Sequence, residues 1–568
     1  MPTKDKDLTM NTHERGGPSI VAYLFALPPV IILLVYKVVP FITALILPFK
    51  EYELTKGVSG SAWVGMRNFS DLFNSPFFTK VLSNTVTLKL EYIFLCSISA
   101  FLIALILGFI GSKFWQRVFS TIFLLPYFMP AAVFIYLVLY AMSNAGMFFM
   151  YSTESLMDPE TFRLIYPILE AIRNIGIPVI IALAAINGRR AVDNRGFLHT
   201  QLIPTLKSIG LFALIQLSTL LTMDYEFLSY LQNPTIYETA ATLDTFVYRT
   251  ALMNNEFGLA SAIWLIKYAV QLVLSILIFF LIKRFFIKGV FPSQTKRAEG
   301  IRKRGSFVGV VLSFFVVQLY LLLTTAPLAV SVVEVFGDGS QISQASSDLL
   351  SGLPLHSSFT TYAIGITFAV LVNMVITILL AYPLTVKDLP GRLLYTIFLI
   401  IVLNMGMGGV HEYLFFRGKG MHNTILPYLI TGFFTLANVF VIKAIYNTRY
   451  VSVEERTVKG VEGDPESFVK RYLPRVVKPI LGLGALQFAF MWNSCYPGQL
   501  VYLADPNKFS PVMIFRNIIM GAQADVYGQL AFDVIKLGAA VSIPGIIMLL
   551  FIMILGGHEI FTAQIWKN

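Results

Sequence analysis

The segment Arg117–Leu125 reads RVFSTIFLL, and the segment Arg392–Ile400 reads RLLYTIFLI. Both contain the pattern Arg-x-x-x-Thr-Ile-Phe-Leu, and each opens a long apolar run. A proline ends a basic loop further along in each case, since Pro204 and Pro474 lie 83 and 78 residues after the threonine of the pattern. Two landmarks that recur at nearly the same offset predict a chain built from two related halves.

The composition indicates an integral membrane protein. The 568 residues are 56% hydrophobic and only 13% charged, which is too little charge to cover the surface of a soluble protein. Continuous apolar runs of about 20 residues are typical of membrane-spanning helices, whereas barrel strands alternate apolar and polar residues. The net charge of +11 does not indicate nucleic acid as a partner, because the basic residues are grouped in a few short loops.

Twelve apolar stretches are predicted to span the membrane, six in each half. They are residues 20–48, 84–111, 118–142, 163–186, 206–226, 260–282, 306–335, 360–383, 393–411, 425–446, 478–503 and 530–556. An even number of spans gives both halves the same orientation in the membrane. The sequence therefore predicts an all-α membrane protein of about 12 transmembrane helices in two parallel six-helix repeats.

The charges of the loops predict how these parts are oriented. Basic residues lie in alternate loops, and acids such as Asp244 and Glu256 lie in the others, which places both termini in the cytoplasm. A polar, basic stretch between the halves suits a cytoplasmic linker. The predicted parts are a cytoplasmic N-terminal tail over 1–19, a first half over 20–289, the linker over 290–305 and a second half over 306–568.

Several segments carry recognisable motifs. In the first half these include SAWVGMRNFSDLF (Ser61–Phe73) and LLPYFMP (Leu124–Pro130). In the second half they include LLAYPLTVKDLPGR (Leu379–Arg392) and FMWNSCYPGQLVYLAD (Phe490–Asp505). These segments resemble binding-protein-dependent ABC transporter permeases of the carbohydrate (oligosaccharide) uptake family. The resemblance implies the type I ABC importer permease fold, with two permease subunits fused in one chain in a bacterial plasma (inner) membrane.

The same resemblance implies the partners. It implies a carbohydrate substrate, an extracytoplasmic substrate-binding protein, and two ATPase subunits or domains on the cytoplasmic side. The sequence contains no G-x-x-x-x-G-K-[ST] phosphate loop, so ATP hydrolysis is expected in a separate polypeptide. We therefore expect no enzymatic activity and no cofactor in this chain, with ATP and Mg bound by the partner ATPase. Membrane lipid is the remaining expected partner.

The stretch VEERTVKGVEGDPESFVKRYLP (Val453–Pro474) lies where the family has its ATPase-coupling loop. Phe468 and Tyr472 share one helical face, and a proline can begin the next helix at low cost. This loop and its first-half counterpart, Ile186–Pro204, both depart from the family pattern. The alternative interpretation of each is an ordinary basic inward loop. The predicted coupling residues are Asp193, Phe197, Pro204, Glu454, Glu455, Gly460, Gly463, Phe468, Tyr472, Leu473 and Pro474.

Polar side chains inside apolar spans are candidates for the substrate pathway, because polar groups are costly there. Sugars bind to aromatic faces, amides and hydroxyls. We expect the fifth and eleventh spans to face each other across the pathway; the alternative for each residue is hydrogen bonding between helices. The candidates are Gln216, Thr219, Tyr225, Asn438, Gln487, Trp492, Asn493 and Tyr496.

Other site types and functions were weighed against this interpretation. His411, Glu412 and His422 do not form a tetrahedral metal-ligand pattern, so no metal site is predicted. A secondary transporter driven by an ion gradient would need embedded acids, for which Glu91, Glu170 and Asp533 are candidates. A degenerate permease acting as a sensor or scaffold is the third possibility, since both coupling loops depart from the family pattern.

Overall fold

The computed structural model describes residues 20–145, 156–190, 195–286, 306–337, 353–447, 463–494, 503–521, 526–527 and 530–555. Within these ranges the chain is helical apart from turns and one hairpin, in which Lys50–Glu51 pairs antiparallel with Ala62–Trp63. The predicted all-α membrane fold is confirmed. The chain is a multi-pass membrane protein.

The long helices follow one another in the order expected from the apolar runs. Their bounds are α1 Val21–Phe49, α2 Pro76–Gly108, α3 Phe114–Phe128, α4 Ala131–Ser143, α5 Pro159–Asn174, α6 Gly176–Arg190, α7 Leu198–Ser218, α8 Phe257–Phe286, α9 Phe307–Gly337, α10 Leu355–Thr385, α11 Arg392–Asn404, α12 Gly409–Gly418, α13 Leu426–Tyr446, α14 Leu473–Asn493 and α15 Ala531–Ile554. Shorter helices connect them, among them Arg67–Phe73, Tyr225–Ser229, Leu243–Tyr248 and Pro511–Met520.

Seven helices in the described residues are long and apolar enough to cross a membrane, or up to ten if each of three bent pairs is one span. The bent pairs are α3 with α4, α5 with α6, and α11 with α12. Each predicted span coincides with a helix or a bent pair, but α9 and α14 do not meet this length and apolarity requirement in the described residues. The predicted count of twelve is therefore not confirmed.

The shared motif begins a sharply bent pair in each half. The angle is 95° between α3 and α4 and 97° between α11 and α12. In both motifs the threonine hydroxyl donates to the arginine carbonyl, at 2.7 Å for Thr121 and 2.8 Å for Thr396. Pro130 at the first bend lacks an N–H group, and the second bend is glycine-rich, so neither continues a helix easily. The two motifs thus mark equivalent positions.

The two proline landmarks also have the same local structure. A π-helical turn precedes each proline, at Leu198–Leu202 in the first half and Phe468–Tyr472 in the second. Pro204 and Pro474 have no N–H to donate to the carbonyl four residues earlier, so the ordinary α-helical hydrogen bond is missing there. Each turn ends instead with a hydrogen bond that spans five residues. The N–H of the residue before the proline, Ile203 or Leu473, donates to the carbonyl of the first residue of the turn.

The first helix of each half packs against the other half. The N-terminal part of α1 lies along α10, and Tyr23 Oη donates to the Pro390 carbonyl at 2.8 Å. Helix α9 lies against α2, α3 and α4, and Tyr320 Oη donates to the Ile172 carbonyl at 2.8 Å. Gly309 in α9 permits this approach, because a Cβ there would lie 2.1 Å from Phe109 Cβ. This exchange ties the halves together.

The largest apolar core also joins the halves. Phe134 and Tyr136 of α4 pack with Phe515 and with Val534 of α15, all of them buried. Tyr136 Oη donates to the Val526 carbonyl at 2.6 Å, which satisfies its polar end. Elsewhere large apolar side chains are exposed on the long helices, such as Phe280 at 60%. Such surfaces suit contact with lipid, where apolar side chains need no further cover.

Candidate functional site

A cavity of about 440 Å³ lies at the boundary between the two halves. The first half contributes the end of α7, the helix Leu243–Tyr248 and one face of α8. The second half contributes residues 403–409, where α11 ends and α12 begins. A cavity lined by both halves is the default position for a ligand site.

Helix α8 provides the longest wall of the cavity. Trp264, Tyr268, Gln271 and Ser275 follow one another at intervals of three or four residues, so they lie on one helical face. The rings of Trp264 and Tyr268 stack with centroids 5.5 Å apart and planes 18° apart. Gln271 Nε2 donates to Thr222 Oγ1 at 2.6 Å, which fixes the amide. The wall therefore combines aromatic rings with an oriented amide and a hydroxyl.

An ion pair between Lys267 and Asp244 lies in the same wall. Only 11% of the Lys267 side chain and 18% of the Asp244 side chain are exposed. Asp244 also accepts a hydrogen bond from the Met223 N–H at 2.9 Å. Among the described residues that line the cavity these two carry the formal charges, and they cancel. Removing one partner from a buried pair is costly because the other charge is left unpaired.

The break between α11 and α12 forms the opposite wall. Asn404, the last residue of α11, lines the cavity there together with Gly406 and Gly408, whose backbone is not helical. In a membrane protein such backbone is tolerated where it is buried in protein or lines a polar cavity. Gly408 lies close to the aromatic wall, since a Cβ there would be 3.1 Å from Trp264 Cδ1. The glycine therefore sets the distance between the two walls.

The equivalent break in the first half is filled. The Phe128 carbonyl at the end of α3 accepts a hydrogen bond from Asn493 Nδ2 at 2.7 Å. Gly545 of α15 packs against the same carbonyl, because a Cβ there would lie 2.4 Å from its oxygen. The two bends thus have the same angle but different surroundings, and only the second-half bend borders this cavity.

The candidates of the first half lie at or near the cavity. Thr219 lines it, and its hydroxyl donates to the Gln216 carbonyl at 3.1 Å. The Tyr225 ring lies 4.5 Å from the ring of Tyr248, which is a lining residue. The predicted fifth span, 206–226, was too long, because α7 ends at Ser218 and turns follow. Gln216 therefore lies in α7, whereas Thr219 and Tyr225 lie beyond its end.

Three candidates of the second half, Gln487, Trp492 and Asn493, donate hydrogen bonds to other helices, as the alternative predicts. Trp492 Nε1 donates to the Val541 carbonyl at 2.8 Å, and Asn493 Nδ2 donates to the Phe128 carbonyl at 2.7 Å. Gln487 donates to the Gly432 carbonyl. Asn438 is buried, with 8% exposure. None of these four lines the cavity, and Tyr496 lies outside the described residues.

Sequence reasoning missed several cavity residues. The spacing of Trp264, Lys267, Tyr268 and Gln271 within the apolar run 260–282 was a usable signal, since polar and aromatic residues recur there on one helical face. Asp244 was assigned to an acidic outward loop. It lies instead in the short helix Leu243–Tyr248, where it pairs with the lysine of α8.

The second-half coupling segment is described from Gly463 onward. Asp193, Glu454, Glu455 and Gly460 lie outside the described residues. Gly463 has a φ of +84°, a conformation that favours glycine. Asp464 then caps the helix by accepting from the Ser467 N–H at 3.3 Å. Burial raises the pKa of Asp464, but hydrogen bonds from Ser467 lower it, and the pKa lies below its usual value.

The aromatic residues of this segment pack inside the chain. Phe468 stacks on Phe25 of α1 with ring centroids 4.7 Å apart. Tyr472 is fully buried and donates to the Ile378 carbonyl of α10 at 3.0 Å. The large apolar side chain that faces outward here is Val469, 58% exposed, which the sequence analysis did not select. Phe468 and Tyr472 therefore anchor the segment to the rest of the chain, and Val469 presents an apolar side chain on its outer surface.

The exits from the two segments differ in exposure. Pro474 is exposed and Leu473 partly buried, whereas Pro204 is buried. Leu198, not Phe197, has the same position relative to its proline as Phe468, and it is 52% exposed.

The first-half segment is anchored to α2 in a similar way. Gln201, one position from the equivalent of Tyr472, donates through Nε2 to the Leu105 carbonyl at 2.5 Å. Arg190 donates to the Gly108 carbonyl at 2.6 Å. Phe197 stacks on Phe109 at 5.7 Å but is 46% exposed.

Two curated proteins are similar to this chain over about half its length. A polygalacturonan/rhamnogalacturonan transport system permease protein (YteP) of Bacillus subtilis is 28% identical over 288 residues, which make up 47% of this chain and 89% of that protein. The resemblance to carbohydrate-uptake permeases is thereby confirmed. The chain is about twice as long as the region that matches this relative.

Other comparisons give lower similarity. Protein LplB of Bacillus subtilis is 23% identical over 298 residues, again 47% of this chain and 90% of that protein. One solved structure is the crystal structure of a bacterial alginate ABC transporter in complex with alginate pentasaccharide-bound periplasmic protein. A chain in it is 24% identical to this protein, with a TM-score of 0.40, and the match covers 47% of this protein and 95% of that chain. No protein-family model matches the sequence.

Proposed function

We propose that the chain is the transmembrane permease component of an ATP-driven ABC importer for carbohydrate, with two permease units fused in one chain. The observation that carries this proposal is the cavity of about 440 Å³ that both halves line. The permease relative supports it, because that protein matches 47% of this chain over 89% of its own length. Two such units in tandem account for the length.

The chemistry of the cavity supports a sugar as the transported molecule. Tyr268, stacked on the buried Trp264, offers an aromatic surface, and Gln271, Asn404 and Thr219 offer amides and a hydroxyl. Sugars present both apolar ring faces and hydroxyl groups, so they bind to surfaces of this kind. A cavity of this volume has room for about one or two sugar rings, given that ligand pockets range from about 300 to 1,000 Å³. An oligosaccharide would then pass through it unit by unit.

The proposal assigns energy coupling to other polypeptides. Two ATPase subunits or domains would bind ATP and Mg and contact the cytoplasmic segments that end at Pro204 and Pro474. A substrate-binding protein would deliver sugar from the outside. The chain would lie in a bacterial plasma membrane with both termini on the cytoplasmic side. The exposed side chains of Val469 and Leu198 would then face the ATPase. ATP binding and hydrolysis would bias the chain between outward- and inward-facing states.

A carrier driven by an ion gradient is the second candidate function. It is favoured by Glu170 of α5, a carboxyl group that is only 3% exposed inside the helix bundle. Embedded acids of this kind serve as proton or ion relays in gradient-driven carriers. The sensor or scaffold interpretation has no comparable support from the described residues.

The test is sugar uptake by vesicles that contain the chain with its co-purified partners. Uptake should need ATP, should persist when ion gradients are collapsed, and should fall about tenfold in Trp264→Ala, from the lost aromatic stacking. Phe280→Ala is the matched control, because it removes an aromatic ring from the exposed side of the same helix. Uptake that stops when ion gradients collapse, without any need for ATP, would favour the gradient-driven carrier and overturn the proposal.

A further inference from the structure

We propose that the cavity is selective for an uncharged sugar unit and discriminates against uronates, with the Asp244–Lys267 pair as the specificity-determining element. This inference rests on the proposed carbohydrate function and adds the substrate class. Asp244 and Lys267 are its charged members among the described residues, and their formal charges cancel.

A sugar carboxylate has no favourable position beside this pair. Near Asp244 it would meet a like charge. Near Lys267 it would compete with Asp244, which would keep only its hydrogen bond from the Met223 N–H. Either way the cavity would hold one uncompensated negative charge, and an unpaired charge is strongly disfavoured in a buried site. No other cation lines the cavity in the described part of the chain.

Nearby buried cations are already engaged elsewhere. Arg173 pairs with Asp224 at 2.8 Å, and Lys89 lies over the Tyr92 ring at 4.9 Å. Neither lines the cavity. The charge balance at the Asp244–Lys267 pair is therefore not altered by a further positive side chain in the wall.

A neutral sugar, by contrast, can use the pair as it stands. An ammonium group has three N–H donors, and the described structure gives one of them to Asp244. A sugar hydroxyl can accept a hydrogen bond from Lys267 and donate one to Asp244 at the same time, without separating the two charges. Gln271 donates through Nε2 to Thr222, which leaves its oxygen as an acceptor. The stacked rings of Trp264 and Tyr268 would hold the apolar face of the sugar.

The decisive experiment compares two sugars on the unmodified protein. The purified chain in lipid nanodiscs is titrated with galactotriose and with trigalacturonate of the same linkage, which differ only in the oxidation of C6. We expect galactotriose to bind at least about tenfold more tightly, from the cost of the unpaired charge. Equal or tighter binding of trigalacturonate would overturn the selectivity and leave the carbohydrate function standing. Failure of both sugars to bind would overturn the proposed function itself.

Two isosteric variants test the assigned residues. Asp244→Asn keeps an oxygen for the Met223 N–H but leaves Lys267 unpaired, so the binding ratio should move about tenfold toward trigalacturonate. Lys267→Gln should move the ratio the other way. Lys80→Gln is the control, since it removes a lysine from an exposed ion pair with Glu238, outside the cavity. An unchanged ratio in folded Asp244→Asn would overturn the role of the pair, and the comparison on the unmodified chain stands if that variant does not fold.

Discussion

Asn493 offers the sharpest test of whether a polar residue in a span serves the pathway or holds helices together. Its amide is 7% exposed and donates to the Phe128 carbonyl at 2.7 Å, across the filled break of the first half. In Asn493→Ala that carbonyl loses its partner. A buried acceptor without a partner costs about 1–3 kcal/mol in proteins generally. Hydrogen bonds between membrane helices average nearer ~0.6 kcal/mol, with a maximum of about 1.7.

We therefore expect Asn493→Ala to lose about 1–2 kcal/mol of stability and to keep its sugar affinity within about twofold. If a half of about 250 residues unfolds as one unit, the thermal midpoint falls by roughly 2–4 °C. The assay is thermal unfolding and sugar titration on the same nanodisc samples. Thr219→Ala is the matched comparison, because Thr219 lines the cavity and is exposed; it should weaken binding with little change in midpoint. Tenfold weaker binding by Asn493→Ala at an unchanged midpoint would refute the reasoning.

Three further predictions concern single positions. Gly408→Ala should weaken sugar binding about fivefold, from crowding against the tryptophan, whereas a Cβ at Gly406 meets nothing within 4 Å and Gly406→Ala should bind normally; equal affinities would refute this. Asp464→Ala should cost about 1 kcal/mol through loss of the cap. Because the pKa of Asp464 is lowered in the folded protein, the loss of stability in Asp464→Ala should be complete at neutral pH and should vanish as pH falls through the folded pKa. A pH-independent difference in thermal midpoint would contradict this. In the complete transporter, Val469→Asp should abolish ATPase stimulation at an unchanged midpoint, whereas Tyr472→Phe should lower the midpoint; normal stimulation of Val469→Asp would exclude it from the interface.

The sequence was sufficient to predict that its two pairs of landmarks have matching local structure, because these landmarks depend on local backbone chemistry. The proline of each coupling segment removes one helical hydrogen bond, and both segments contain the same π-helical turn before it. The two Arg-x-x-x-Thr-Ile-Phe-Leu motifs begin bent helix pairs of nearly equal angle. Effects of this kind act within a few residues, so they can be read without knowledge of the neighbouring helices.

The cavity could not be predicted in the same way, because it depends on contacts between distant segments. Asp244 is paired with a lysine on the next long helix, and nothing in its own loop signals this. Phe468 and Tyr472 share a helical face as predicted, but that face packs against α1 and α10. Which face of a helix is covered depends on its neighbours, and one sequence without the fold does not reveal them.

The unequal breaks suggest how a symmetric architecture can acquire one substrate site. Both bent pairs expose backbone in the middle of the bundle, where unpaired groups are costly. In the first half, the amide of Asn493 and the close approach of Gly545 satisfy and cover the Phe128 carbonyl. In the second half, the equivalent space remains as the cavity beside Gly408. The two segments differ in sequence, so one break can be closed for stability while the other stays open to the cavity.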